Sequence, residues 1–164
     1  MLLHCLNEAD AFSAAWTSWT MAAEDGMTGY TLTKALVVSA SEENRTALSE
    51  ALSAKGFVPA LCRSTAEARK FMEGGDIEIL FCDDCLHGAA LRNVVAEVAE
   101  RHRPIPVIAV SRTGEWSEYF DALRAGAFAY LSLPLRREEL DRVLESALGK
   151  SFGRNDGVKV EATI

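Results

Sequence analysis

Two adjacent carboxylates, Asp83 and Asp84, end a run that is otherwise almost wholly apolar. Ile77, Ile79, Leu80, Phe81 and Cys82 are interrupted only by Glu78, a pattern that suits a central strand of a parallel sheet covered on both faces. A carboxylate at the carboxyl end of such a strand lies where open α/β sheets bind ligands. The same stretch carries sulfur: Cys82-Asp83-Asp84-Cys85 is a CxxC between a strand and a helix, and His87 follows it. That spacing suggests a redox pair or a metal site. Two acids between the sulfurs oppose thiolate formation, however, and Cys82 belongs to the apolar strand, where a free cysteine behaves as a small hydrophobe. A zinc site would need a fourth ligand, for which His4 and Cys5 would have to fold over.

The elements that must position these groups follow from periodicity. Ala35-Leu36-Val37-Val38 reads as a short buried strand ending at Ser39 and Ala40. Ser41 can cap a helix over 42–55, with Leu48, Ala51 and Leu52 inward and Gly56 at its end. A second strand covers 57–62. Ser64 and Glu67 have capping-box spacing for a helix reaching 73, closed by Gly74-Gly75. After the Asp83–Gly88 loop, Leu91, Val94, Val95 and Val98 form the apolar face of a third helix. The fourth strand is placed at 105–110, the loop at 111–114, the fourth helix at 116–125 with Gly126 ending it, and the fifth strand at 128–131. Pro134 breaks that strand. A fifth helix over 136–148 turns Leu140, Val143, Leu144, Ala147 and Leu148 inward.

Five strands alternating with five helices imply an α/β parallel sheet with right-handed crossovers, and a flavodoxin-like doubly wound order, 2-1-3-4-5, is the leading topology. Ser39, Ala40, Asp83, Ser111 and Leu133 would then line one rim. No glycine-rich phosphate loop follows the first strand, which argues against a dinucleotide fold.

Outside this region, residues 1–33 contain no Lys or Arg and four acids, Glu8, Asp10, Glu24 and Asp25. Phe12, Trp16, Trp19 and Ala23 share one face of a helix expected over 8–23, which would dock on its own domain or on a partner; 26–33 reads as a linker. The tail, 150–164, reads as mobile, with 158–162 a possible edge strand.

The bulk numbers bound the function. A chain of 164 residues with 49% apolar and 25% charged residues fits one soluble domain. A net charge of −7 argues against a nucleic-acid surface. No apolar run reaches the roughly 18–20 residues of a membrane span. The N-terminus lacks a basic n-region, which argues against a signal peptide and against lipidation at Cys5. The four cysteines have no framework spacing, which points to a reducing, cytoplasmic compartment.

Over residues 34–149 the chain resembles the receiver domain of bacterial two-component response regulators. Asp83 with its loop to Gly88 resembles the phosphoacceptor aspartate. Ser111 stands where receivers have Thr or Ser, and Gly126-Ala127 with Tyr130-Leu131 resembles the run before the last helix, Tyr130 being the switch aromatic. Leu133-Pro134 stands in place of Lys-Pro. The resemblance implies a stand-alone phosphorelay module that is not an enzyme. It also implies protein partners, such as a sensor kinase or an output protein, and a possible homodimer. Trp116, Tyr119, Arg124, Arg136 and Arg137 would form the partner face, although Trp116 or Tyr119 could instead be core and the arginines a solvated surface.

The departures concern the chemistry. The acidic pair after the first strand is replaced by Ser39 and Ala40, the lysine by Leu133, and the loop proline by His87. Phosphoryl transfer to a carboxylate needs neutralising charge, which Mg²⁺ supplies when it finds oxygen ligands. Here Asp83 and Asp84 are the candidate ligands, and Glu42 or Glu43 would have to reach back to join them. The resemblance is therefore to a degenerate, pseudo-receiver type. The first alternative is a conventional receiver phosphorylated on Asp83. The second is a redox or metal-binding protein through Cys82, Cys85 and His87. A DNA-binding regulator is not expected within this chain, since about 15 residues follow the fifth helix.

Overall fold

The structure is a computed structural model that describes residues 33–74, 76–83, 88–101 and 104–149. The expected N-terminal helix with Trp16 and Trp19, the tail strand, and Asp84, Cys85 and His87 lie outside the described residues. Five strands form one sheet in the order β2-β1-β3-β4-β5, the flavodoxin-like arrangement expected from the sequence. The chain groups into two compact units, divided in sequence within β3 between Glu78 and Ile79.

In the first unit, β1 (Thr33–Val38) pairs in parallel with β2 (Phe57–Cys62), with Val38 opposite Cys62. Thr33, expected in a linker, is the first residue of β1, because Phe57 pairs with it. Helix α1 (Glu42–Ser53) is capped by Ser41, whose side chain accepts the Asn44 N–H. Helix α2 (Thr65–Glu73) is capped by Ser64; the Glu67 carboxylate reaches back to the N–H of Arg63, one residue earlier than a standard capping box. Ala35–Val38, Leu48, Leu52, Phe71 and Met72 are buried, and Ala51 is half-buried. Lys34 and Asp76 form a surface ion pair at 3.0 Å, an arrangement that contributes little to stability.

Cys62 is fully buried on β2. Burial first, and the Glu67 carboxylate second, push its thiol up to about 12, while the Arg45 guanidinium opposes them. The ordinary value is 9.0, so the folded chain keeps a proton that the unfolded chain sheds above that pH. Stability from this group is complete below about pH 9 and is lost as pH rises toward 12. Urea midpoints measured across that window should fall less in Cys62→Ala than in the wild type. Native Cys62 should also resist iodoacetamide, as peptide mapping would show.

In the second unit, β3 (Ile77–Asp83) pairs with β4 (Val107–Ser111), and β4 pairs with β5 (Ala129–Ser132), all in parallel. Three helices accompany them: α3 (Gly88–Ala99), α4 (Trp116–Arg124) and α5 (Arg137–Leu148). β4 starts later than expected. Pro106 lacks an N–H for the ladder, although its carbonyl accepts from Leu80 at 3.0 Å. Ser111, expected in a loop, ends β4 opposite Ser132, and β5 is displaced by one residue from 128–131. Ile79, Leu80, Phe81, Ile108, Leu131, Leu140 and Leu144 form the core. Val143, Ala147 and Leu148 are half-buried. Among the described residues, no helix is long and apolar enough to cross a membrane.

Candidate functional site

In the first unit, Ser39 leaves β1 with its N–H on the Cys62 carbonyl at 3.0 Å, and the residue is fully buried. Its hydroxyl closes a local turn, accepting the Ser41 N–H at 3.1 Å and lying 3.3 Å from the Ser41 carbonyl. Ala40 is exposed and brings no polar side chain. Arg45 projects from the first turns of α1 and is only 8% exposed. Its Nη1 donates to the Ser39 carbonyl at 2.6 Å, so a guanidinium charge is buried at the end of β1. Sequence reasoning missed Arg45. The signal was its position three residues before Leu48 and seven before Leu52, on the same helical stripe. Glu42 and Glu43, considered as reaching back, are exposed in the first turn of α1.

In the second unit, Asp83 is the last residue of β3, opposite Val110, and it is fully buried. Ser111 ends the neighbouring strand, 1% exposed, and its carbonyl accepts the Leu133 N–H at 2.7 Å. Asp83, Ser111 and the Ser132-Leu133 step thus share one edge of this unit. Leu133 is half-buried, Pro134 is exposed, and the bond between them is cis.

Ser111 and Tyr130 are joined through a third residue that the sequence reading did not single out. The Ser111 hydroxyl donates to Glu118 Oε2 at 2.7 Å, and the Tyr130 hydroxyl donates to the same oxygen at 3.1 Å. The Thr113 hydroxyl donates to that oxygen as well, and its N–H donates to Ser111 Oγ at 3.2 Å. Glu118 lies in the first turn of α4, where an acid is ordinarily read as a helix-dipole charge; that reading hid it.

The aromatic groups form a chain across α4 and β5. The Tyr119 ring meets Tyr130 edge-on at 5.8 Å, Trp116 at 5.9 Å and Phe120 at 5.5 Å. Trp116 is 76% exposed, which removes the reading of it as core, while Tyr119 is half-buried. Phe120, not anticipated on this face, is 54% exposed, and Phe128, just before β5, is 49% exposed. Arg124, Arg136 and Arg137 are exposed. Cys82 is buried, with its thiol 3.8 Å from the Asp83 carbonyl. Among the described residues, no group of three or more His, Cys, Asp or Glu side chains could hold a metal ion.

The family model of the response regulator receiver domain matches residues 35–145. The chain belongs to this family. The receiver is 25% identical over 131 residues to an NtrX-like response regulator of Rickettsia bellii, covering 79% of this chain and 27% of the relative. It therefore spans about a quarter of the length of the curated relatives it matches. A response regulator from Thermotoga maritima superposes with a TM-score of 0.64 at 22% identity, covering 73% of this chain and 99% of that one. An atypical orphan response regulator, described as having a phosphorylation-independent regulatory mechanism, superposes with a TM-score of 0.61 at 20% identity, covering 74% and 100%. The receiver is thus a module of two-component signalling.

Proposed function

We propose that this receiver acts in the cytoplasm by protein–protein contact, with a sensor kinase, an output protein or a second copy as partner, and that phosphotransfer at Asp83 is very slow or absent. The observation that carries this reading is the end of β1. Mg²⁺ takes oxygen ligands, usually including one or two carboxylates. Here Ala40 offers none, the Ser39 hydroxyl is committed to its own turn, and the Ser39 carbonyl holds the Arg45 guanidinium. That buried positive charge repels a dication, so these residues do not suit Mg²⁺. Leu133 adds no cation to neutralise a transferring phosphoryl group. Each lost electrostatic contact costs roughly 10²–10³ in rate, by analogy with oxyanion-hole donors. That a receiver of the same fold is described as regulated independently of phosphorylation is compatible with such a mode.

The test is incubation of the full chain with acetyl phosphate and Mg²⁺, beside a receiver that retains the acidic pair and lysine. Mass spectrometry should find no phosphoryl group on Asp83 while the control is modified. Incorporation at the control's rate, abolished by Asp83→Asn, would instead establish a conventional phosphoacceptor.

A further inference from the structure

One oxygen of Glu118 collects hydroxyl donors from three segments: Ser111 at the end of β4, Thr113 in the loop and Tyr130 in β5. Hydrogen bonds to an ionised acceptor are roughly twice as strong as neutral ones. The Ser111 hydroxyl is shielded from water, so it cannot exchange this acceptor for solvent. Glu118 rides on α4 beside Trp116, Tyr119 and Phe120, and the Tyr119 ring also packs on Tyr130. Tyr130 is therefore tied to α4 twice, once through its hydroxyl and once through its ring.

We propose that Glu118 is an internal anionic anchor that holds Ser111 and Tyr130 in one arrangement and thereby fixes the aromatic face of α4 without a phosphoryl group at Asp83. The chain supplies its own negative charge to the two strand ends. The partner-facing side of α4 is consequently set by a side chain of the receiver, and neutralising that side chain releases it. Glu118 acts here as a positioning residue. The proposal rests on reading Ser111 and Tyr130 as a coupled pair.

The test uses the full chain with ¹³C-labelled tyrosine rings and amide hydrogen exchange read by mass spectrometry. Glu118→Gln keeps the size and removes the charge. It should shift and broaden the Tyr130 ring signals and speed exchange in α4 and its preceding loop by roughly tenfold or more, leaving β1 and β2 unchanged. Glu118→Asp, which keeps the charge on a shorter arm, should fall between. Tyr130→Phe should speed α4 exchange in the wild-type background and add nothing in Glu118→Gln, an outcome that simple packing would not produce. Unmoved Tyr130 signals, or effects of the two substitutions that simply add, would overturn the proposal. If Glu118→Gln does not fold, Ser111→Ala and Tyr130→Phe are combined instead: non-additive effects support the shared acceptor and additive ones refute it. Phosphoryl incorporation, measured on the same samples, reports on Asp83 separately and would leave the anchor standing.

Discussion

Replacing Gly126 with alanine is expected to destabilise the receiver by about 3 kcal/mol. Gly126 follows α4 with φ +96°, a conformation that costs an L-residue roughly 1–2 kcal/mol. It also closes the helix: its N–H donates to the Leu123 carbonyl at 3.0 Å, and the Ala127 N–H donates to the Ala122 carbonyl at 3.0 Å, the Schellman arrangement. An added Cβ would stand 2.8 Å from Val95 Cγ1 on α3, so the Val95 side chain or the backbone beneath it must give way, an overpacking cost of roughly 1–3 kcal/mol. Gly56 separates the two effects. Its φ is +84°, yet a Cβ there meets nothing within 4 Å, so Gly56→Ala should show the backbone cost alone. Urea unfolding of both variants, read by circular dichroism, checks this. Equal midpoints for the two would remove the steric part of the argument.

Arg45→Ala is expected to cost about 2–3 kcal/mol, since hydrogen bonds from charged groups contribute roughly 1.5–3 kcal/mol and the buried stem adds packing. The substitution strips the donor from the Ser39 carbonyl at the end of β1. Arg45→Lys should recover part of the loss, because an ammonium retains the charge but not the planar reach of the guanidinium. A second readout is chemical. The guanidinium lowers the Cys62 thiol against burial and Glu67, so its removal should raise that thiol further and deepen the alkaline loss of stability, whose onset stays near pH 9. An Arg45→Ala variant with the wild-type urea midpoint and the wild-type alkaline profile would show that the buried cation plays no part at this strand end.

Each substitution bears on function within its own unit. Gly126 sets where α4 ends and β5 begins, and so where Tyr130 sits relative to Glu118. Arg45 makes the end of β1 cationic. Trp116 and Phe120, with ring centroids 6.4 Å apart, leave bulky rings in water on α4, and Phe128 before β5 is exposed as well.

The sequence by itself determined the succession of strands and helices. Apolar runs such as Ala35–Val38 and Ile79–Cys82 are short and bounded by polar residues, as covered strands are, and caps such as Ser41 and Ser64 act on neighbours a few residues away. Residue types at the strand ends, Ser39, Ala40, Ser111 and Leu133, are likewise read without the fold. The sequence did not place element ends where a distant partner decides them: Thr33 joins β1 because Phe57 pairs with it, and Ser111 joins β4 because Ser132 does. Nor did it reveal Arg45 or Glu118 as members of the site. A charged residue in the first turns of a helix reads as surface, and only the folded chain brings a carbonyl to Arg45 and three hydroxyls to Glu118. Those partners come from the turn at the end of β1 and from β4, its loop and β5, so tertiary structure alone decided which charges this receiver keeps at its strand ends.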